Sequence, residues 1–210
     1  MNPRSVSETS IGDFLTAVAS AEEAHGAVST AAVAGGLGCS LLLMVATLPK
    51  TRSDSIDDRT RLIAAAAAVS NVQEQLLETI ETETAVKIFA ARNMPQGSQT
   101  QRSERQTAIQ FALRAAADVP LDVMRLCARG LKHADTVAGH GARAASADIE
   151  LGIALLNAAF NGARSNLEAK LSSLTNAVYI TSVVEEMAQL SDEATSATFA
   201  AGASLQVPPA

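Results

Sequence analysis

The sequence predicts an all-α protein, an up-and-down helical bundle of about seven helices, on three observations. Hydrophobic residues make up 48% of the chain but aromatics only 3%, with no Trp, so the apolar content is mostly Ala, Leu and Val. Ala and Leu are strong helix formers. Apolar positions recur at helical spacing over long stretches, whereas β-branched and aromatic runs bounded by turn residues, the mark of strands, are missing.

A chain of 210 residues can bury one sizeable core, and no long Pro/Gly/Ser-rich linker interrupts it. A single domain over 1–210 follows, with 1–9 and 201–210 expected as frayed tails. The balance of 16 Lys plus Arg against 22 Asp plus Glu gives a net charge of -6, which speaks against a nucleic-acid partner. Cys39 and Cys127 fall inside apolar helical patterns and read as buried, reduced thiols. Residues 1–15 have no apolar core of signal-peptide type. A cytoplasmic location is the expectation.

The first helix starts at Ser10, an N-cap with Asp13 three residues on, and its apolar positions Phe14, Leu15 and Val18 carry it to about Glu23. The second, over 26–48, carries no charge and is long enough to cross a bilayer. Gly35, Gly36 and Gly38, the hydroxyls of Ser29, Thr30, Ser40 and Thr47, and the lack of a second comparable span favour a central buried helix, with no membrane role. Pro49 ends it.

A long third helix is expected over 57–93, with Leu62, Val69 and Leu76 repeating every seven residues and Val72 and Ile80 on the same stripe. The segment Pro95-Gln-Gly-Ser98 breaks it. A fourth helix is expected over 103–117 and a fifth over 120–138, because proline is at home in a first helical turn. The sixth, over 147–174, has the clearest stripe: Ile149, Ile153, Leu156, Phe160, Ala163, Leu167, Leu171 and Leu174. A seventh covers 176–200.

Stepping seven residues on from Leu76 lands on Glu83, a carboxylate in an apolar row, with Glu81 close by. A desolvated carboxylate needs a partner or a raised pKa, and a raised pKa suits a general acid near neutrality. The plainer reading pairs Glu83 with Lys87 one turn later and leaves Glu81 in water. On the sixth helix Asp148, Gly152, Leu155, Ala159, Gly162 and Asn166 form a row that is small in the middle and polar at both ends. Such a row admits a flat ligand or simply a neighbouring helix. Arg125, Arg129 and Lys132 make a basic strip on the fifth helix, fit for an anionic ligand tail or for water. His25, His133 and His140 have no metal-ligand spacing, so no metal is expected.

Several segments together resemble the formiminotransferase-cyclodeaminase and methenyltetrahydrofolate cyclohydrolase family. These are His25-Gly-Ala-Val-Ser29, Ala31-Ala-Val-Ala-Gly-Gly-Leu-Gly38 with Met44-Val45, Glu81-Thr-Glu-Thr-Ala85, Asn93-Met-Pro95, and Val119-Pro-Leu121. Gly141, Asp148 and Gly162-Ala-Arg-Ser-Asn-Leu167 continue the series, so the likeness runs from about Ile11 to Leu190.

The resemblance implies a homodimer and a pocket for a tetrahydrofolate derivative as substrate, with no covalently bound cofactor. In it a carboxylate acts as acid and base, either hydrolysing a cationic methenyl bridge or expelling ammonia from a formimino group as N10 attacks. Carried over, it implies Glu81 as the working acid, Gly26 and Ser29 where a turn approaches the ligand, and Asp148 and Asn166 in the second half of the site; with Glu83 from the apolar row, the catalytic candidates are Glu81, Glu83 and Asp148, and the substrate-binding candidates are His25, Gly26, Ser29, Lys50, Gly141 and Asn166. The chain departs from the family pattern where a Pro-Gly-Gly-Gly-Ser turn reads His25 to Ser29, where Ala142 and Ala147 replace Asn and Ser, and where Glu81 replaces Asp. Two readings result: a folate enzyme, or a diverged member that binds or transforms another small molecule on the same bundle.

Overall fold

The computed structural model describes residues 9–20, 26–80 and 84–206. Seven α-helices account for nearly all of them: α1 (Ile11–Ala19), α2 (Ala27–Thr47), α3 (Ile56–Ile80), α4 (Thr84–Arg92), α5 (Gln99–His140), α6 (Ser146–Leu171) and α7 (Ala177–Gln206). The described residues contain no strand, only one antiparallel bridge between Thr51 and Gly141.

Local chemistry explains the starts. Ser10 caps α1 by accepting from the Asp13 N–H at 3.1 Å. Ser98 and Gln101 form a reciprocal capping box that starts α5 earlier than the apolar pattern alone suggests. The Ser55 hydroxyl accepts from the Asp58 N–H at 3.1 Å at the start of α3.

Three boundaries differ from expectation. The helix expected over 57–93 is described as α3 and α4, and α4 packs on α5 rather than continuing along α2. The two helices expected over 103–138 are one, with Pro120 inside it. Proline there has no N–H for the Ala116 carbonyl, a local cost of about 3 kcal/mol. Burial outweighs it: Ala116, Ala117, Leu121, Val123 and Met124 on both sides of Pro120 are core residues. Last, α7 continues to Gln206, past the point where a frayed tail was expected, because Ala201 is fully buried and the Arg52 guanidinium donates to the Ser204 carbonyl at 2.8 Å. A cation there also meets the negative end of the helix dipole.

The core lies where α2, α3, α5, α6 and α7 meet. Leu62, Val69 and Leu76 of α3 are fully buried, and every member of the α6 stripe from Ile149 to Leu174 is in the core. Helix α2 packs most extensively on α6 and also on α3 and α5. Its glycines set the distance. A Cβ on Gly38 would stand 2.7 Å from the Gly152 carbonyl oxygen, and one on Gly35 would crowd Leu76, Cys127 and Ala159. Among the described residues α2 is the one helix long and apolar enough to cross a membrane, and 44% of its most apolar stretch is buried inside the bundle.

Candidate functional site

The small row on α6 is filled by protein. Gly152 meets Gly38, Ala159 meets Gly35, and Gly162 lies 3.7 Å from the Ala31 Cβ measured from its own Cβ position. These contacts also fix the register: α2 and α6 run antiparallel. The polar residues at the two ends of the row therefore lie at opposite ends of α2. Asp148 and Asn166 are separated by roughly 27 Å along α6 at 1.5 Å per residue.

One end gathers Lys50, Gly141 and Asp148. Gly141 bridges Thr51, and its Cβ position lies 2.8 Å from Val45 near the end of α2 and 3.7 Å from Ile149 beside Asp148. Its N–H donates to the Val137 carbonyl at 2.8 Å, and a Cβ would sit 2.6 Å from that oxygen. The glycine expected to face a ligand is thus required by packing. Lys50 is exposed and Asp148 half-buried in the first turn of α6.

The same end holds a network that no sequence spacing announces. Asp58 Oδ1 lies 2.7 Å from His140 Nδ1, while Oδ2 accepts from the Ser53 hydroxyl at 2.6 Å and the Ser53 N–H at 2.9 Å. The Ser53 hydroxyl bond, with His140 adding to it, outweighs the effect of burial and holds the Asp58 carboxyl down at about 2. The Arg52 N–H donates to the His140 carbonyl at 2.8 Å, tying the α2–α3 loop to the end of α5. Ser53 bonds to the carboxylate, leaving no serine hydroxyl on the imidazole, so the trio anchors the loop and is no nucleophilic triad. Asp58 and His140 are 82 positions apart, and only the fold could have found them.

The other end of α2 gathers Gly26, Ser29 and Asn166. Gly26 caps the helix at φ -91°, and a Cβ there would meet nothing within 4 Å. Asn166 follows Gly162 by one turn on α6, so it lies toward the start of α2; its Oδ1 is shut off from solvent and accepts no hydrogen bond from the described residues. Helix α3 reaches this end too, since Leu76 packs on Gly35 and Leu77 reaches Gly36. His25, Glu81 and Glu83 lie outside the described residues.

The basic strip on α5 lines a cleft of about 1180 Å³ bounded by α3, α5 and α7. Arg125 is spoken for there: its guanidinium grips Glu186 of α7 through two bonds of 2.6 and 2.7 Å and Asp122 through a third of 2.7 Å. Arg129 donates to the Gln75 amide oxygen at 2.7 Å. Glu78, Asp135 and Glu193 line the same cleft, so its charge is mixed. Among the described residues no group of three or more His, Cys, Asp or Glu is placed to hold a metal ion.

The antiparallel pair of glycine-bearing helices, α2 and α6, with polar clusters at both ends, makes this an all-α helical bundle built around one closely packed helix pair. The chain superposes on formiminotetrahydrofolate cyclodeaminase from Thermotoga maritima with a TM-score of 0.84 over 96% of this chain and 98% of that one, at 20% identity. The sequence profile described as Formiminotransferase-cyclodeaminase matches residues 10–189, and the chain belongs to that family. It is 24% identical to methenyltetrahydrofolate cyclohydrolase of Methylorubrum extorquens, over 88% of this chain and 89% of that protein. It is 25% identical to the Gallus gallus formimidoyltransferase-cyclodeaminase over 88% of its own length, and spans 34% of that longer relative.

Proposed function

We propose that this protein is a folate-dependent one-carbon enzyme that acts as a homodimer, hydrolysing methenyltetrahydrofolate or closing formiminotetrahydrofolate with loss of ammonia. The observation that carries the reading is the family match over 10–189 together with carboxylates at the carried-over positions Glu81 and Asp148. The relatives bear the names of both activities. An acidic site suits both reactions, since a methenyl bridge is cationic and a departing ammonia must take up a proton.

Glu81 serves as acid and base and the orphaned Asn166 Oδ1 supplies an acceptor for a donor on the ligand, while Asp148, about 27 Å from Asn166 along α6, supports the developing positive charge from the second copy of the homodimer. Purified protein mixed with methenyltetrahydrofolate and followed by absorbance tests this, and a Glu81→Gln variant should lose a factor of about a hundred or more. An unchanged rate removes Glu81 from the mechanism.

A second reading has its own observation. Where the family pattern has a glycine turn, Ala27 and Val28 here form the first turn of α2, with Gly26 alone ahead of them. Side chains in that place favour a different small molecule on the same bundle, which calorimetry without folate binding would indicate.

A further inference from the structure

We propose that Arg52 and Arg143 form a binding site for a small oxyanion, a carboxylate or a phosphate, where the α2–α3 loop meets the end of α7. The site stands apart from the folate reading above, because α7 contributes to neither polar cluster at the ends of α2.

Backbone contacts bring the two arginines together. Thr51 bridges Gly141, and the Arg52 N–H donates to the His140 carbonyl at 2.8 Å. The loop after α2 therefore runs beside the connection from α5 to α6, and Arg143 opens the short 3-10 turn Arg143–Ala145 two residues past Gly141. Arg52 is half-buried and Arg143 exposed, so the pair has an inner member and an outer one that a ligand can reach. Burial and the neighbouring Arg143 guanidinium both lower the Arg52 pKa, against the opposing pull of Asp58. Two cations held this close call for an anion between them.

The orientation of the Arg52 guanidinium shows where the anion sits. In Arg125 the Nε and Nη2 edge grips the two oxygens of Glu186 at 2.6 and 2.7 Å, the two-pronged contact that suits an oxyanion. Arg52 turns its other side, Nη1, to the Ser204 carbonyl at 2.8 Å. Its Nε is shut off from bulk solvent and donates to none of the described residues. A buried donor without an acceptor is costly, and a bound oxyanion removes that cost.

The carboxylates around the pair are engaged elsewhere. Asp58 holds Ser53 and His140, Asp54 accepts from the Thr51 N–H at 3.2 Å, and Asp135 accepts from the Ser204 hydroxyl at 2.7 Å. None of these bonds engages the Arg52 guanidinium. The negative oxygens must come with the ligand, and the planar edge selects a group with two of them side by side.

Titration of the whole chain at low ionic strength tests the site, with inorganic phosphate followed by phosphorus NMR and glutarate added as a competitor. At least one of the two should bind saturably and raise the thermal midpoint. Arg143→Gln should weaken that binding roughly tenfold or more, as the loss of charged hydrogen bonds does. Arg52→Lys keeps a cation at the end of α7 but removes the two-pronged edge, and should weaken binding likewise in a protein whose circular dichroism is unchanged. If that variant unfolds, the exposed Arg143 decides alone.

Phosphate that glutarate cannot displace identifies a phosphate group as the ligand, and displacement shows that carboxylates are admitted too. Arg129→Gln with Lys132→Gln, basic residues of the separate α3, α5 and α7 cleft, should leave binding intact. An equal loss there would reveal general attraction to positive charge and overturn the site. So would wild-type affinity in Arg143→Gln, or the failure of both anions to saturate at millimolar concentration. Saturable binding in a protein that turns over no folate strikes the folate reading and leaves this site standing.

Discussion

The Gly38 α-carbon faces the Gly152 carbonyl so closely that a methyl group on Gly38 would stand 2.7 Å from the oxygen. The reverse contact, from Gly152 to the Gly38 carbonyl, is 3.1 Å. This crossing fixes how near α2 and α6 come, and with it the positions of all that lies at their ends.

Gly38→Ala is therefore expected to destabilise the fold by about 1–3 kcal/mol, the usual cost of forcing atoms into a packed interior. Gly141→Ala belongs in the same class, with a carbonyl at 2.6 Å and Val45 at 2.8 Å. Gly26→Ala, where nothing stands within 4 Å, should cost less, about 0.5–1 kcal/mol as an N-cap change alone. Urea denaturation of the three variants checks the ranking; equal losses would contradict it.

Acid should weaken the loop anchor. The Asp58 carboxyl is held at about 2 instead of its usual 3.8, so the folded state favours its ionised form. The stability this contributes is present above about pH 4 and disappears as pH falls toward 2. Asp58→Asn should flatten that part of the stability-versus-pH curve and cost about 1–3 kcal/mol at neutral pH, by leaving His140 and Ser53 with a poorer acceptor. An unchanged acid limb would exclude Asp58 as its source.

Tyr179 offers a clean optical measurement, because the chain has one Tyr and no Trp. Burial, reinforced by a 2.6 Å hydrogen bond to Asp118, pushes its phenol above the ordinary range, against the opposing pull of Arg114, which sits 4.4 Å from the ring centre. The native protein should show less tyrosinate absorbance at pH 10 than unfolded protein, which should show about half its full amplitude there. Tyr179→Phe should cost about 1 kcal/mol.

The thiols should be inert in the native state. Burial pushes Cys39 up to about 12 and Cys127 upward as well. Maleimide at neutral pH should label neither residue until denaturant is added, since the thiolate is the reacting form. Prompt labelling would mean that the α2–α5 contact opens readily.

The Glu186 carboxylate joins α7 to Arg125 through a two-pronged contact, but both side chains keep a third or more of their surface exposed. Glu186→Gln should accordingly cost less than about 1 kcal/mol. A thermal midpoint shifted by more than several degrees would show that the pair holds more than this exposure suggests.

Much of the fold was legible because helical periodicity and composition are local properties. The α6 stripe, the α3 row and the capped start of α1 follow from residues within a few turns of one another, while the family likeness follows from the order of short segments along nearly the whole chain. Continuous α5 was not legible, since Pro120 is a local penalty offset by burial along both halves of the helix. Nor was the Asp58–His140 pair, whose members meet through loop closure. The site residues were legible as types and hidden as a group: nothing in their spacing says that Asp148 shares one end of α2 with Lys50 and Gly141, and Asn166 the other end with Gly26 and Ser29. Sequence by itself determined which surfaces are apolar, which helices form and where carboxylates and glycines fall, because these depend on side-chain chemistry at fixed intervals. Only the tertiary structure decided the antiparallel register of α2 and α6, which sets the residues that each end of α6 meets, because register is set by which small residues permit two backbones to touch.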